Sequence, residues 1–107
     1  KLCPVGWHVP TSSDYSYLGQ FLWCPNQWEV SNCPDLLPEG RSGFLALKGG
    51  QRRFFGSFES VGTAGFWWKA TQYSSADAYD HRMYGGGAQF TFDTKKSAGK
   101  SIRCIKD

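Results

Sequence analysis

Four cysteines constrain this chain more than any other feature of its sequence. Cys3 and Cys104 stand close to the two ends of the 107 residues, while Cys24 and Cys33 bracket a short stretch holding Pro25, Asn26 and Asn32, with Pro34 just beyond. Four cysteines allow three pairings. Cys3 with Cys104 and Cys24 with Cys33 is the pairing expected here: the first would tie the ends of a domain together, and the second would close a local loop. Zinc is the competing use of four thiolates, but the chain has no C-x2-4-C pair, and His8 and His81 stand in strand or loop contexts. No metal and no other cofactor is therefore expected. Disulfides persist in oxidising compartments, so an extracellular or cell-surface location is expected.

A chain of this length can bury one core and not two, and residues 1–107 read as a single domain. Aromatic residues form 17% of it, as five Trp, five Tyr and eight Phe, and each ring carries a large buried area into that core. The net charge of +3 comes from 12 basic and 9 acidic side chains. Apart from Arg52-Arg53 and Lys95-Lys96 the basic residues are scattered, so no stripe follows a phosphate backbone and nucleic acid is not an expected partner. No apolar run approaches the roughly 18 residues of a membrane span, so direct insertion by this domain is not expected. Lys1-Leu2-Cys3-Pro4 lacks the apolar core of a leader peptide. The abrupt start at Cys3 and finish at Cys104 suggest a piece cut from a longer protein with a leader, lipid anchor or companion domain.

Along the chain, Cys3 to Pro10 reads as the start of a short strand, and Pro10 delays any helix to Thr11. Thr11-Ser12-Ser13-Asp14 approximates a capping box, and Tyr15, Leu18 and Leu22 then recur on one helical face, predicting a helix over residues 12–22. Trp23 to Arg41 has no steady period and reads as a long stapled loop. From Gly43 onward, short apolar runs alternate with glycines: Phe44 to Leu47, Arg52 to Phe58, then Phe66-Trp67-Trp68. That is strand and turn punctuation. Residues 78–84 and 89–93 suit paired antiparallel strands around Gly85-Gly86-Gly87, and residues 101–105 a last strand. The fold class expected is α+β: one or two helices, a long loop region and a small, mostly antiparallel sheet, stapled by disulfides.

Four blocks, in order, resemble the Fibrobacter succinogenes major paralogous domain: Cys3-Pro4-Val5-Gly6-Trp7-His8-Val9-Pro10-Thr11, then Ser42 to Gly50, then Gly65-Phe66-Trp67-Trp68, and finally Ser101 to Asp107. The sequence departs from the family pattern at Lys69-Ala70-Thr71-Gln72, at His81 where arginine is usual, and in the Cys24/Cys33 loop. The resemblance implies a C-type-lectin-like fold and a module of a bacterial or phage-related surface protein. Relatives of that fold include sugar-binding lectins, a formylglycine-generating enzyme branch and the variable proteins of diversity-generating retroelements. Fold alone does not choose among these.

A lectin-type calcium site would need Glu-Pro-Asn or Gln-Pro-Asp followed by Trp-Asn-Asp, because calcium requires converging oxygens. The chain has neither. Catalysis would need a nucleophile beside a base, and the thiols are better used as staples, so an enzyme is not expected. Binding is. Residues 73–87 draw almost wholly on Tyr, Ser, Asp, Ala, His and Gly, the alphabet of adaptable binding surfaces, and one that adenine-directed mutation of an Asn codon also produces. Strand alternation places Tyr79, His81 and Met83 toward the core with Phe90 and Phe92, and leaves Asp80, Arg82 and Tyr84 outward with Gln89, Thr91 and Asp93. Tyr73, Ser74, Ala76 and Asp77 join them from the neighbouring loop. Arg53, Phe54, Phe55 and Ser57 form a second candidate patch, where the resemblance places variable positions; the alternative, that one of these rings fills the core, stays open. Of Trp67 and Trp68 at least one should be core, Trp7, Trp23 and Trp28 should pack the helix and loop, and Arg103 and Asp107 should belong to the scaffold. The expected function is recognition of a protein or glycan ligand by a secreted or cell-surface domain, as a diversified variable protein. The alternative is a non-diversified structural or adhesive module, an adhesin of the same family.

Overall fold

The computed structural model describes residues 2–22, 24, 31–85 and 88–107, without the side chains of 31, 32 and 88–90. Trp23, Trp28, Pro25, Asn26, Gly86 and Gly87, and the side chains of Gln89 and Phe90, lie outside the described residues. The chain opens on β1 (Trp7–His8) and then α1 (Ser12–Phe21). Thr11 caps the helix in an extended conformation, its hydroxyl accepting the Asp14 N–H at 3.2 Å while the Asp14 carboxylate accepts the Thr11 N–H at 2.8 Å. The reciprocal pair satisfies two amides that a helix start leaves open. Two further bonds stitch this start to the sheet: Ser12 N–H to the Thr71 hydroxyl and Ala70 N–H to the Pro10 carbonyl.

After α1 come β2 (Ser31–Asn32), a 3-10 turn at Pro34–Leu36, and the hairpin of β3 (Gln51–Arg52) and β4 (Phe58–Glu59). Gly50, at φ +70°, precedes the hairpin, and a Cβ there would run into the Glu59 carbonyl. Only glycine fits that approach. The long strands follow, β5 (Gly65–Gln72), β6 (Asp77–Met83) and β7 (Ala88–Lys95), and β8 (Ile105–Lys106) returns beside β1. The central sheet has the order β2-β7-β6-β5 with every neighbouring pair antiparallel. Cys3–Cys104 and Cys24–Cys33 are both formed, with Cα separations of 5.8 and 5.2 Å.

Both faces of this sheet are covered. On one, Trp67 and Met83 pack with Leu36, Leu37, Ala46 and the Cys24–Cys33 bridge, and Tyr15, Leu18, Leu22 and Phe44 complete the layer. Tyr15 stacks on His81 at 4.3 Å between centroids. On the other face stand Phe66, Trp68, Asp80, Arg82 and Phe92, since Phe66 lies opposite Arg82 and Trp68 opposite Asp80, itself opposite Phe92. Directly opposed residues share a face. Lys100 covers this second face, its Nζ 5.0 Å from the Phe66 centroid and 5.3 Å from that of Trp68.

The sequence reading is corrected at several points. Asp80 does not point outward: it is fully buried, because the second face holds cations that meet it. Phe92 shares that face and is 45% exposed. Thr91, expected outward, lies opposite His81 on the helix-covered face and accepts a hydrogen bond from the buried Lys69 at 2.9 Å. Alternation orders residues by face, but it cannot tell a wet face from a polar layer under cover. Phe44 to Leu47 is not a strand: Leu45 takes φ +54° and only Ala46 is buried, its N–H on the Leu36 carbonyl. The closing strand is confined to Ile105–Lys106.

Candidate functional site

The residues between β3 and β4 make a tight excursion, closed by Arg53 N–H to the Ser57 carbonyl at 2.7 Å and Gly56 N–H to the Arg53 carbonyl at 2.9 Å. The closure turns Phe54 and Phe55 outward, 47% and 63% exposed, and settles the open alternative in favour of a surface pair. Their rings meet edge to face at 5.0 Å, and the Arg53 guanidinium lies 5.3 Å from the Phe55 centroid. Arg53 is steadied by Glu59, Nη1 to Oε1 at 3.0 Å, and Glu59 also accepts from Gln51. These bonds hold the Glu59 carboxyl below its ordinary range.

Facing this hairpin, the ends of β6 and β7 complete a cleft of about 290 Å³ lined by Arg53, Phe54, Asp77, Arg82, Asp93 and Lys95, together with Gln51, Thr94 and Ala98. Lys95 reaches across it, its Nζ 5.7 Å from the Phe54 centroid. Below the cleft lies the polar layer. Asp80 accepts from Arg82 Nε at 2.7 Å and Nη2 at 3.1 Å and from the Thr94 hydroxyl at 2.6 Å, and it pairs with Lys100 Nζ at 2.9 Å. Burial works to raise the Asp80 carboxyl, but Arg82, Thr94 and Lys100 together hold it below its usual value. Burial lowers Arg82, yet Asp80 more than compensates and leaves it raised. The guanidinium is a fixed cation, stacked 4.4 Å from the Phe92 centroid.

Five of the expected site residues thus meet in one place: Arg53, Phe54, Asp77, Arg82 and Asp93. Phe55 and Ser57 sit on the same hairpin. Tyr73, Ser74 and Ala76 form the turn leading to Asp77, where the Ser74 hydroxyl donates to the Asp77 carboxylate at 3.0 Å and accepts from the Asp77 and Ala76 amides. Ser74 and Asp77 therefore build the turn that displays Tyr73, whose exposed ring meets Tyr79 edge-on at 5.5 Å. Tyr84 belongs to the other end of β6, packed against Phe66 at 6.2 Å. Asp80 lies under the cleft and Thr91 behind the sheet. Gln51, Thr94, Lys95 and Ala98 were not anticipated; Thr94 and Lys95 could have been added by extending the β7 pairing to Asp77.

Rigid aromatic area, fixed cations and carboxylates suit non-covalent recognition. All four cysteines are in disulfides, so the cleft holds no thiol nucleophile.

In comparison with known proteins, the model of the family described as the Fibrobacter succinogenes major domain matches residues 1–106. No curated protein matches the chain. No solved structure matches it.

Proposed function

The chain belongs to the Fibrobacter succinogenes major domain family, and from that premise we propose that it is a non-enzymatic, ligand-binding domain of an extracellular or cell-surface protein. Its ligand is a protein or glycan, received in the cleft between the β3–β4 hairpin and the ends of β6 and β7. The observation that carries this reading is the exposed Phe54–Phe55 pair, held on a closed hairpin at the rim of a cleft lined by Arg53, Arg82, Lys95, Asp77 and Asp93. Large rings left in water on a fixed support mark interaction sites. Two chain-spanning features, the Cys3–Cys104 bridge and the one-helix, antiparallel-sheet architecture, support a C-type-lectin-like fold for it. Diversification of the surface is part of the same reading.

A purified domain probed on glycan and protein arrays tests the proposal. Phe54→Ala with Phe55→Ala should lower binding to any array ligand by about tenfold or more, as loss of an aromatic anchor does. Undiminished binding by that double variant and by Arg53→Ala would refute this site. A second reading, a non-diversified structural or adhesive module, is favoured by one fact: Ser74, Asp77 and Arg82 already spend their polar groups inside the fold. A gene lacking a nearby imperfect repeat with adenine-specific differences would select it.

A further inference from the structure

His8 sits at the corner where β1, the start of α1 and the end of β8 meet. Both nitrogens of its ring face carboxylates: Nδ1 lies 2.7 Å from Asp107 and Nε2 lies 3.1 Å from Asp14. A neutral imidazole carries one N–H and one lone pair, and the imidazolium alone offers two donors. A ring between two carboxylates is therefore a charged ring. The other elements at this corner bring no competing charge to it. Lys106 of β8 is exposed and stands opposite Trp7, while β5 contributes the uncharged Ala70 and Thr71, bonded to Pro10 and Ser12. The hydrogen bonds to Asp107 and then to Asp14 raise His8 above its usual value, against a smaller opposing effect of burial.

The two carboxylates are not held alike. Asp14 belongs to the helix cap, where it also takes the Thr11 N–H at 2.8 Å and the Thr11 hydroxyl at 2.9 Å, and its side chain is 24% exposed. The Asp107 side chain is 60% exposed, and His8 is its one partner among the described residues. When the ring loses a proton, one nitrogen turns a lone pair toward a carboxylate, and that contact must open. Asp107 can swing into water, whereas Asp14 cannot leave without opening the cap. What Asp107 anchors is short. Beyond the Cys3–Cys104 bridge, residues 105–107 are held by the two-residue ladder of Trp7 with Lys106 and His8 with Ile105, and by the Asp107 N–H on the Gly6 carbonyl at 2.9 Å. A segment with so few bonds, all near the surface, belongs to the low end of local stability. Ile105 within it forms one wall of an apolar hollow of about 210 Å³, shared with Leu18 and Phe44.

We propose that His8 is a pH-operated clasp: as an imidazolium it holds residues 105–107 against β1, and on giving its Nδ1 proton to water it releases Asp107, so that β8 detaches as far as the Cys3–Cys104 bridge and opens the wall of that hollow. The remaining Nε2–H stays on Asp14, and the helix cap is undisturbed. Asp107, read from the sequence as scaffold, is then the moving half of the clasp. The device goes beyond the proposed function, whose cleft takes no part in it.

NMR on the whole chain tests it, with the His8 ring titrated in wild type and in Asp107→Asn while exchange of the residue-107 amide with water is followed. The wild-type ring should titrate above 6.5, and the ring of Asp107→Asn at a lower pH. Proton binding and clasp closure are linked, so protection of the wild-type amide should fall through the ring's titration, about tenfold for each pH unit that separates the two rings. In Asp107→Asn that amide should be poorly protected on both sides of the titration. Amides of β6 such as Asp80, and the Asp14 amide in the cap, should keep their protection, which marks a local release. Rings that titrate together in the two proteins, or a residue-107 amide indifferent to the wild-type titration, would overturn the proposal. Loss of protection at Asp14 in place of residue 107, or at Asp80 along with it, would overturn it too, since the cap or the whole fold would then be what opens.

Discussion

Replacing Asp80 by alanine separates a surface carboxylate from a structural one, and the structure gives the magnitude. The side chain is fully buried, accepts three hydrogen bonds and pairs with Lys100, whose side chain is likewise 0% exposed. Asp80→Ala leaves Lys100 buried without its counter-ion and strips Arg82 of two bonds. Removing one partner of a buried pair costs about 3–5 kcal/mol, a large part of the roughly 5–15 kcal/mol that stabilises a typical domain. Lys100→Met is the informative contrast. It leaves Asp80 bonded to Arg82 and Thr94 and keeps an apolar chain beside Phe66 and Trp68, but it also removes the bond Lys100 donates to the buried Gln51, so its cost should be about 1–3 kcal/mol, below that of Asp80→Ala. The double variant should cost less than the two single costs added. Urea unfolding followed by tryptophan fluorescence measures all three, with unchanged slopes confirming a change in stability alone. The Asp80 carboxyl is lowered in the folded protein, so its stabilisation is present above the unfolded value of 3.8 and fades as pH falls through the lower folded value. The gap between wild type and Asp80→Ala should therefore close on strong acidification. An Asp80→Ala variant within about 0.5 kcal/mol of wild type at neutral pH would refute the reasoning and return Asp80 to the surface.

Opening Cys3–Cys104, a loop spanning 101 positions, should cost about 4–5 kcal/mol, and opening Cys24–Cys33, spanning 9, about 2–3 kcal/mol, by loop-closure entropy; serine variants in the same urea assay give both. His8 is raised above 6.5, first by Asp107 and then by Asp14, so the stability it contributes is present below pH 6.5 and is lost as pH rises through the folded value. Melts of wild type and His8→Gln at stepped pH should converge toward alkaline pH. Burial pushes Lys69 down to about 8 from 10.5, against the pull of Asp80; between those values the unfolded chain holds a proton that the folded one has released, and stability rises with pH. Wild type should gain on Lys69→Met across that window, and a constant difference would contradict the buried ammonium.

What the sequence made legible was local. Thr11 and Asp14 announced their helix because a capping box needs only four consecutive residues, and the run of glycines in the sequence after Tyr84 announced the pairing of β6 with β7. The cysteine pairs followed from position alone. Faces were harder. His81 and Met83 were placed correctly, but Asp80 was not, because its burial depends on Lys100 and Thr94, distant in the chain and unmarked by any pattern. Phe92 was misplaced for a related reason: paired across from Asp80, it had to share that residue's face whatever its hydropathy. The apolar run at Phe44 misled because a left-handed Leu45 turns the chain where a strand would continue.

The same long-range contacts decide how freely the proposed binding surface can change. Arg82 lines the cleft, yet it is also held by Asp80, Thr94 and the Phe92 ring, so replacing it disturbs the polar layer beneath. Ser74 and Asp77 are fixed by the turn they build together. Phe54, Phe55 and Tyr73 differ: each projects into water from backbone closed by other residues, through Arg53 and Ser57 in one case and Ser74 and Asp77 in the other. Substitution there removes exposed ring area and no buried partner, so stability is little affected while contact area is lost. A surface open to diversification on this scaffold therefore consists of hairpin and turn tips around a charged floor held by its own hydrogen bonds. Ser74, Asp77 and Arg82 fall on one side of that line and Phe54, Phe55 and Tyr73 on the other, and the rings at the tips are where a change in ligand costs the fold least.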